Sequence, residues 1–232
     1  MALIATQWTW IRTQADTFTI NYSVHLPLIP TYHIQEDAGG RTPDLWERQW
    51  MAERLAPKRE MLSETVWMVP ERLWQRGLRP DCTPELYPPH PLVYRFDLGP
   101  RILLEKNRPF QKEDFHANGE VTLRYRGTLP VALGLVWKLG YSDVILCGID
   151  LEGPYFYQDD PTWAGYFERL DREYPLRVQS WPLYPHEIGV GGTPRPMSEY
   201  LVAANEFVFK PANRRLWRGG SSRAQLPKWQ WE

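Results

Sequence analysis

The chain has 232 residues, of which 43% are hydrophobic, so it is long enough for one folded domain with a sizeable core. Its formal net charge of −1 excludes a general electrostatic attraction to nucleic acid or to an anionic membrane surface. Two cysteines, Cys82 and Cys147, are too few for a disulfide framework, and no apolar run approaches the roughly 18 residues of a transmembrane helix. Residues 1–14 lack the charged start and long apolar stretch of a signal peptide. We therefore expect a cytoplasmic protein without a transmembrane segment.

The first half of the chain alternates short predicted strands with short predicted helices. Phe18, Ile20 and Tyr22 alternate with polar residues, which predicts a strand over 17–22. The further predicted elements are strands at 29–37, 65–69 and 92–98, helices at 43–55 and 70–77, a proline-rich loop at 78–91 and an irregular polar stretch at 106–120.

The segment 126–153 combines a turn, an apolar helix and an apolar strand. Thr128 is a suitable N-cap, and the helix that follows it stops at Gly140. Because Val144 to Cys147 are all apolar, 143–149 is predicted to be a central strand of a parallel sheet. Ligands of such sheets bind beyond the carboxyl ends of the strands, so Asp150 and the turn at 126–128 are candidate site positions.

The last third of the chain continues the same alternation. Its predicted elements are a helix at 160–175, a Pro/Gly-rich loop at 181–196, a helix at 197–209 and then a strand, a turn and a short final helix within 214–227. Alternating strands and helices predict an α/β fold with a mainly parallel sheet. We therefore expect one Rossmann-like domain over 1–232 with long Pro-rich loops.

Three pieces of the sequence, in matching order, resemble the bacterial sialyltransferases of the Campylobacter type. They are "TINYSVH" within 17–37, a "GT" turn, a helix ending "LGY" and a strand ending "GID" within 119–152, and "HEIG" with "RLWRGGSSRAQLP" in the last 50 residues. Related Rossmann-like proteins of the hydroxymethylpterin diphosphokinase-like group share the middle piece. The resemblance implies a glycosyltransferase that moves a sialic-acid-type sugar from a CMP-activated donor to a glycan hydroxyl.

The resemblance also implies roles for individual residues. His186 would accept the proton of the acceptor hydroxyl, because imidazole titrates near neutral pH. Asn21 would contact the base or the ribose of the donor. The other implied contacts to the donor are Arg126, Gly127, Thr128, Asp150, Glu152, Tyr155, Tyr157, Ser221 and Ser222. No metal or other cofactor is expected, because tyrosines hold the leaving phosphate in this family. Glu36, Asp37 and His33 lack the spacing of a metal motif.

The chain departs from the family where the first phosphate loop is expected. The transferases have a Gly-Asn-Gly-Pro-Ser loop there, whereas this chain has "ALIATQWTWIRTQ". The loop is either rebuilt around Thr6 and Gln7 or the usual first segment is lacking. Two alternatives therefore stay open: a diphosphokinase-like enzyme that uses ATP with Mg²⁺, and a non-catalytic Rossmann-like binding module that has lost the phosphate loop. The sequence leaves the oligomeric state open and is compatible with a homo-oligomer.

Overall fold

The computed structural model describes residues 10–25, 28–35, 51–104, 108–125, 127–147, 168, 196–220 and 225–230. The chain divides into two compact units, of which the first comprises 1–100 and 124–135 and the second 101–123 and 136–232. The boundary between the units falls inside one helix, Thr128–Leu139. None of the helices in the described residues is both long and apolar enough to cross a membrane.

A four-stranded parallel sheet forms the centre of the first unit. Its strands lie in chain order and are β1 (Phe18–Ile20), β2 (Tyr32–Ile34), β3 (Val66–Pro70) and β4 (Leu92–Phe96). Thr19 pairs with His33, and His33 pairs in turn with Trp67. The prediction of an α/β fold with a parallel sheet is confirmed at this level.

Short helices connect and cover these strands. In the described residues of the first unit they are α1 (10–14), α2 (51–55), α3 (Glu71–Gln75), the start of α4 (Thr128–Leu139), and 3₁₀ turns at Asn21–His25, Ala56–Lys58, Glu60–Glu64 and Pro84–Leu86. The predicted helix 43–55 is helical where it is described, and α3 confirms the helix predicted over 70–77. The chain leaves α3 through Gly77, whose φ of 90° favours glycine.

Both faces of the sheet in the first unit are covered around β2 and β3, whereas Leu92 and Tyr94 of β4 are exposed. On one face Ile34, Met68 and Phe96 pack against α4, which contributes Val131, Ala132 and Leu135. On the other face Trp67 and Val69 pack against the segments that connect β2 to β3 and β3 to β4. The side chains from those segments are Met51, Leu55, Leu62, Leu73, Leu78, Leu86 and Tyr87. The first unit is therefore a three-layer arrangement in which a sheet lies between helical layers.

The second unit contains two small sheets. β5 (His116–Ala117) and β6 (Glu120–Val121) form an antiparallel hairpin, and β7 (Asp143–Leu146) pairs in parallel with β8 (Arg215–Arg218). Helix α5 (Met197–Ala204) precedes β8. Tyr200 of α5 is fully buried beside Phe110 and Phe115, and its hydroxyl donates to the Leu123 carbonyl at 2.5 Å.

Helix α5 continues through Phe209 as predicted but changes its winding at Asn205. Residues Asn205–Phe209 form a π-helical turn. Asn205 is buried, and its side-chain oxygen accepts from the Leu216 amide at 2.9 Å. A carboxamide turned inward at this point supplies an acceptor to the first residues of β8.

Three sequence predictions for the second unit need correction. Residues 106–120 were expected to be irregular, yet Asn118 and Gly119 have φ values of 54° and 82° and close the β5–β6 hairpin, as a two-residue turn of this type requires. The expected short final helix is wrong for 225–230, because these residues run beside β8 with Lys228 bridged to Arg218.

The third correction concerns the predicted central strand at 143–149. A strand exists at Asp143–Leu146, but in the described part of the chain it pairs with β8 alone. Val144 to Cys147 are half-buried rather than buried on both faces. An apolar run of this length does not distinguish a strand covered on two sides from one covered on one side. Residues 148–149 lie outside the described residues.

Candidate functional site

The chain makes a sharp turn where β1 ends. Asn21 follows Ile20 with a left-handed φ of 47°, a conformation that asparagine tolerates better than most residues. The Ser23 hydroxyl closes the turn: it accepts from the Ile20 amide at 2.8 Å and donates to the Ile20 carbonyl at 2.6 Å. The predicted strand 17–22 is therefore shorter in the structure, and the turn redirects the Asn21 side chain away from the strand's alternation.

The redirected Asn21 side chain reaches the N-terminus of α4. Its Nδ2 atom donates to the Thr128 hydroxyl at 2.7 Å, across 107 residues of sequence. Gly127 precedes the helix with a φ of 69°, which favours glycine. Thr128 is the first helical residue rather than the predicted N-cap, and it is 8% exposed. The first backbone N–H groups of α4 have no partner inside the helix, so this end attracts acceptors and anions.

Three of the predicted site residues are thus brought together at one edge of the sheet: Asn21, Gly127 and Thr128. The others lie outside the described residues and stay predictions: Arg126, Asp150, Glu152, Tyr155, Tyr157, His186, Ser221 and Ser222. Glu36 and Asp37 lie outside them as well. Among the residues that the structure does describe, no group of His, Cys, Asp and Glu is arranged to hold a metal ion.

Three polar side chains, Thr19, His33 and Gln35, form a hydrogen-bonded chain from β1 to the end of β2. His33 is 0% exposed; its Nδ1 lies 3.0 Å from the Thr19 hydroxyl and its Nε2 lies 3.0 Å from Gln35 Oε1. The Trp67 ring meets the imidazole edge-on at 4.8 Å between centroids. Burial lowers the pKa of His33 to about 4, and the positive charge of Lys58 acts in the same direction. His33 is therefore neutral at pH 7.

Lys58 lies close enough to His33 for its charge to act on the imidazole. It is 8% exposed, and its ammonium donates to the Leu28 carbonyl at 3.4 Å. Burial lowers the pKa of Lys58 to about 8. The sequence analysis treated His33 only as a neighbour of two acids and missed the Thr19–His33–Gln35 chain. Neither strand's sequence alone determines the register that aligns Thr19 with His33.

Comparisons of the chain with protein-family models, with curated proteins and with solved structures find no match.

Acidification should destabilise the protein through His33. The unfolded chain binds a proton at the ordinary pKa of 6.5, whereas the folded chain binds it at about 4. The free energy of unfolding should therefore fall as the pH drops from 6.5 to 4, by on the order of 3 kcal/mol. Urea unfolding at several pH values measures it. His33→Asn should remove this component, and His116→Asn, at an exposed histidine, should leave it in place. Equal pH profiles for the wild type and His33→Asn would contradict the assignment.

The Asn21–Thr128 contact should be measurable by a matched pair of variants. Asn21→Gly keeps the left-handed turn but removes the donor to Thr128, and Asn213→Gly makes the same change at an exposed left-handed residue with a φ of 57°. Asn21→Gly should lower the free energy of unfolding by about 1 kcal/mol more than Asn213→Gly, the usual worth of one hydrogen bond. Equal effects in chemical denaturation would mean that the contact contributes nothing.

Proposed function

We propose that the chain is a glycosyltransferase that moves a sialic-acid-type sugar from a CMP-activated donor to a glycan hydroxyl. The observation that carries the proposal is the hydrogen bond between Asn21 and Thr128 at the carboxyl edge of the sheet. In the resembling family the matching residues face the donor nucleotide. The two positions were selected from separate pieces of the sequence, so their contact supports the correspondence of both pieces.

The location of this contact supports a ligand site on general grounds. The connections from β2 to β3 and from β3 to β4 cover the Trp67 face of the sheet, whereas α4 covers the opposite face. Ligands of open α/β sheets bind beyond the carboxyl ends of the strands, where the chain changes from one face to the other. The N-terminus of α4, beside Asn21, lies at the carboxyl end of β1.

The chemistry of the edge suits an anionic donor. The positive end of the α4 dipole, and the first-turn N–H groups that have no partner within the helix, favour a phosphate or a carboxylate. Gly127 has no side chain, so a ligand can approach the backbone closely at the turn. Asn21 adds a carboxamide that can both donate and accept. A CMP-activated sialic-acid-type sugar carries both a phosphate and a carboxylate.

The remaining parts of the proposal rest on the resemblance. His186 acts as the general base, Asp150 and Glu152 contact the sugar or the nucleotide of the donor, and Tyr155 or Tyr157 holds the leaving phosphate in place of a metal. Arg126 adds positive charge at the turn. Ser221 and Ser222 face the cytidine. The proposal further includes a single Rossmann-like domain over 1–232, long Pro-rich loops, a cytoplasmic location and a glycan acceptor.

Ligand binding tests the donor class. CMP without metal should raise the melting temperature, while UDP and ATP with Mg²⁺ should not. Thr128→Val should weaken CMP binding about tenfold, because it removes a hydroxyl at the proposed site. Thr65→Val is the matched control. Thr65 is buried just before β3, at the amino end of that strand, and its hydroxyl donates to the Pro30 carbonyl. This variant should lose stability but keep its affinity for CMP.

Other outcomes of the same screen contradict the proposal. Stabilisation by ATP only with Mg²⁺ would favour a diphosphokinase-like enzyme. No response to any nucleotide would favour a non-catalytic binding module.

The proposed base can be tested by turnover. His186→Ala should reduce kcat by about 10²–10⁴-fold, the usual worth of a positioned general base, and should leave donor binding unchanged because the imidazole acts on the acceptor. His90→Ala, at an exposed histidine of the first unit, is the control and should keep full activity. A His186→Ala enzyme with wild-type kcat in a CMP-sugar transfer assay would remove His186 from the mechanism.

A further inference from the structure

The outer strand β4 has a free edge. The sheet of the first unit ends at β4, and in the described part of the chain Leu92–Phe96 pairs with β3 alone. An outer strand presents the backbone N–H and C=O groups of its far side to solvent. Residues 97 and 98 follow without a helix or a bend, so the free edge continues past the last residue of the strand.

Apolar side chains beside this free edge are exposed. Leu92 and Tyr94 are 53% and 51% exposed, whereas Phe96, on the same face, is 7% exposed and packs against α4. Proteins commonly protect an outer strand with proline, lysine, a bulge or a covering segment. Residues 92–98 contain neither proline nor lysine, and β4 pairs with β3 in an unbroken register. The free edge is therefore open to a further strand.

Two charges of opposite sign lie along the free edge. Arg95 and Asp97 are two residues apart and both are exposed. The Arg95 guanidinium lies over the Trp74 ring at 5.2 Å from its centroid, and its Nε lies 3.8 Å from a carboxylate oxygen of Glu71. Asp97 Oδ1 accepts from the Gly99 amide at 3.3 Å, which holds the carboxylate near the end of the strand. The order of charge along the edge is thus positive and then negative.

This order of charge is complementary to its own reverse. When two β4 strands run antiparallel about a two-fold axis at Phe96, each Arg95 lies opposite Asp97 of the other copy, and each Tyr94 lies opposite Leu98. Opposite charges and apolar pairs at directly opposed positions stabilise antiparallel strands, and like charges there are destabilising. An axis at Arg95 places two guanidinium groups opposite each other. An axis at Tyr94 leaves both charged residues opposite uncharged ones.

We propose that the chain forms a homodimer in which two β4 strands pair antiparallel about Phe96 and join two four-stranded sheets into one. Two Arg95–Asp97 pairs flank the axis on one face, and two Tyr94–Leu98 contacts flank it on the other. Two-fold dimers are the commonest soluble oligomers, and their interface has to be self-complementary, as this edge is. The dimer is independent of the proposed donor site, which lies at the other outer strand, β1.

Sedimentation velocity over a dilution series tests the dimer. Two short strands bury less than roughly 1,200 Å² in total, at the low end of interface sizes, so the dimer should dissociate on dilution. The wild type should sediment as a dimer at about 1 mM and as a monomer at about 1 µM. Sedimentation as a monomer throughout the series would overturn the proposal.

A charge exchange tests the register. Arg95→Asp and Asp97→Arg each place like charges opposite each other and should raise the dissociation constant of the dimer about tenfold. The double variant restores opposite charges and should return the constant to within about threefold of the wild type. Arg79→Asp is the matched control, because Arg79 is an exposed arginine 3.1 Å from Asp81 with the same spacing in sequence but outside β4.

The double variant also separates association from folding. Arg95→Asp removes the contact with Glu71 in both the single and the double variant, so only the pairing between copies is restored by Asp97→Arg. Circular dichroism should show the same fold for every variant. A double variant that associates no better than the single variants, or an Arg95→Asp variant that associates as the wild type does, would overturn the proposed pairing.

The apolar face of the interface has its own test. Tyr94→Lys places an ammonium group against Leu98 of the other copy and should leave the protein monomeric at every concentration of the series. Met61→Lys is the control, since Met61 is 56% exposed in the 3₁₀ turn Glu60–Glu64, outside the sheet, and this variant should associate as the wild type does. Equal association of Tyr94→Lys and the wild type would place the interface elsewhere and overturn the proposal.

Discussion

A parallel sheet has to bury both of its faces, and this requirement decides where the other elements of the first unit lie. The connections after β2 and β3 cover one face and leave Ile34, Met68 and Phe96 to be covered from elsewhere in the chain. Helix α4 covers them with its apolar stripe. The same packing brings the N-terminus of α4 to the end of β1, where Thr128 meets Asn21. The candidate site is thus a consequence of the way in which the core is closed.

The buried imidazole of His33 has a hydrogen-bond partner at each ring nitrogen, Thr19 at Nδ1 and Gln35 at Nε2. Burying an imidazole without partners costs free energy, and His33 avoids this cost by remaining neutral between one donor and one acceptor. Gln35 Oε1 can only accept, so His33 Nε2 donates to it, and Nδ1 of the neutral ring accepts from the Thr19 hydroxyl. The Gln35 carboxamide after β2 is thereby held by a residue of the interior.

Sequence periodicity predicted those parts of the fold that depend on local pattern. The strands near 18, 66 and 92 and the helix after Gly127 follow from alternation and from helical spacing. The β5–β6 hairpin was missed although Asn118-Gly119 is a strong turn signal, because the short flanking strands carry little hydrophobic alternation. A short final helix was predicted from local preference, but residues 225–230 are not helical because the chain there pairs with β8, with Lys228 bridged to Arg218.

The candidate site was only partly predictable from local pattern. Asn21 and Thr128 lie 107 residues apart, and only the resemblance to the sialyltransferases connected them. The Thr19–His33–Gln35 chain depends on strand register, which is set by packing across the sheet rather than by either strand. Residue types alone therefore indicate the chemistry that is present, whereas the register decides which groups meet.

The central claim is that the edge formed by Asn21, Gly127 and Thr128 binds a nucleotide. Titration of ¹⁵N-labelled protein with CMP in the absence of metal, followed through the backbone amide signals, tests it most directly. The account predicts saturable shifts of the Gly127 and Thr128 amides and of the Asn21 side-chain amide, with the Asn118–Gly119 turn unaffected. Saturable CMP binding that shifts other residues and leaves these three unchanged would contradict the account, as would the absence of any shift at millimolar CMP.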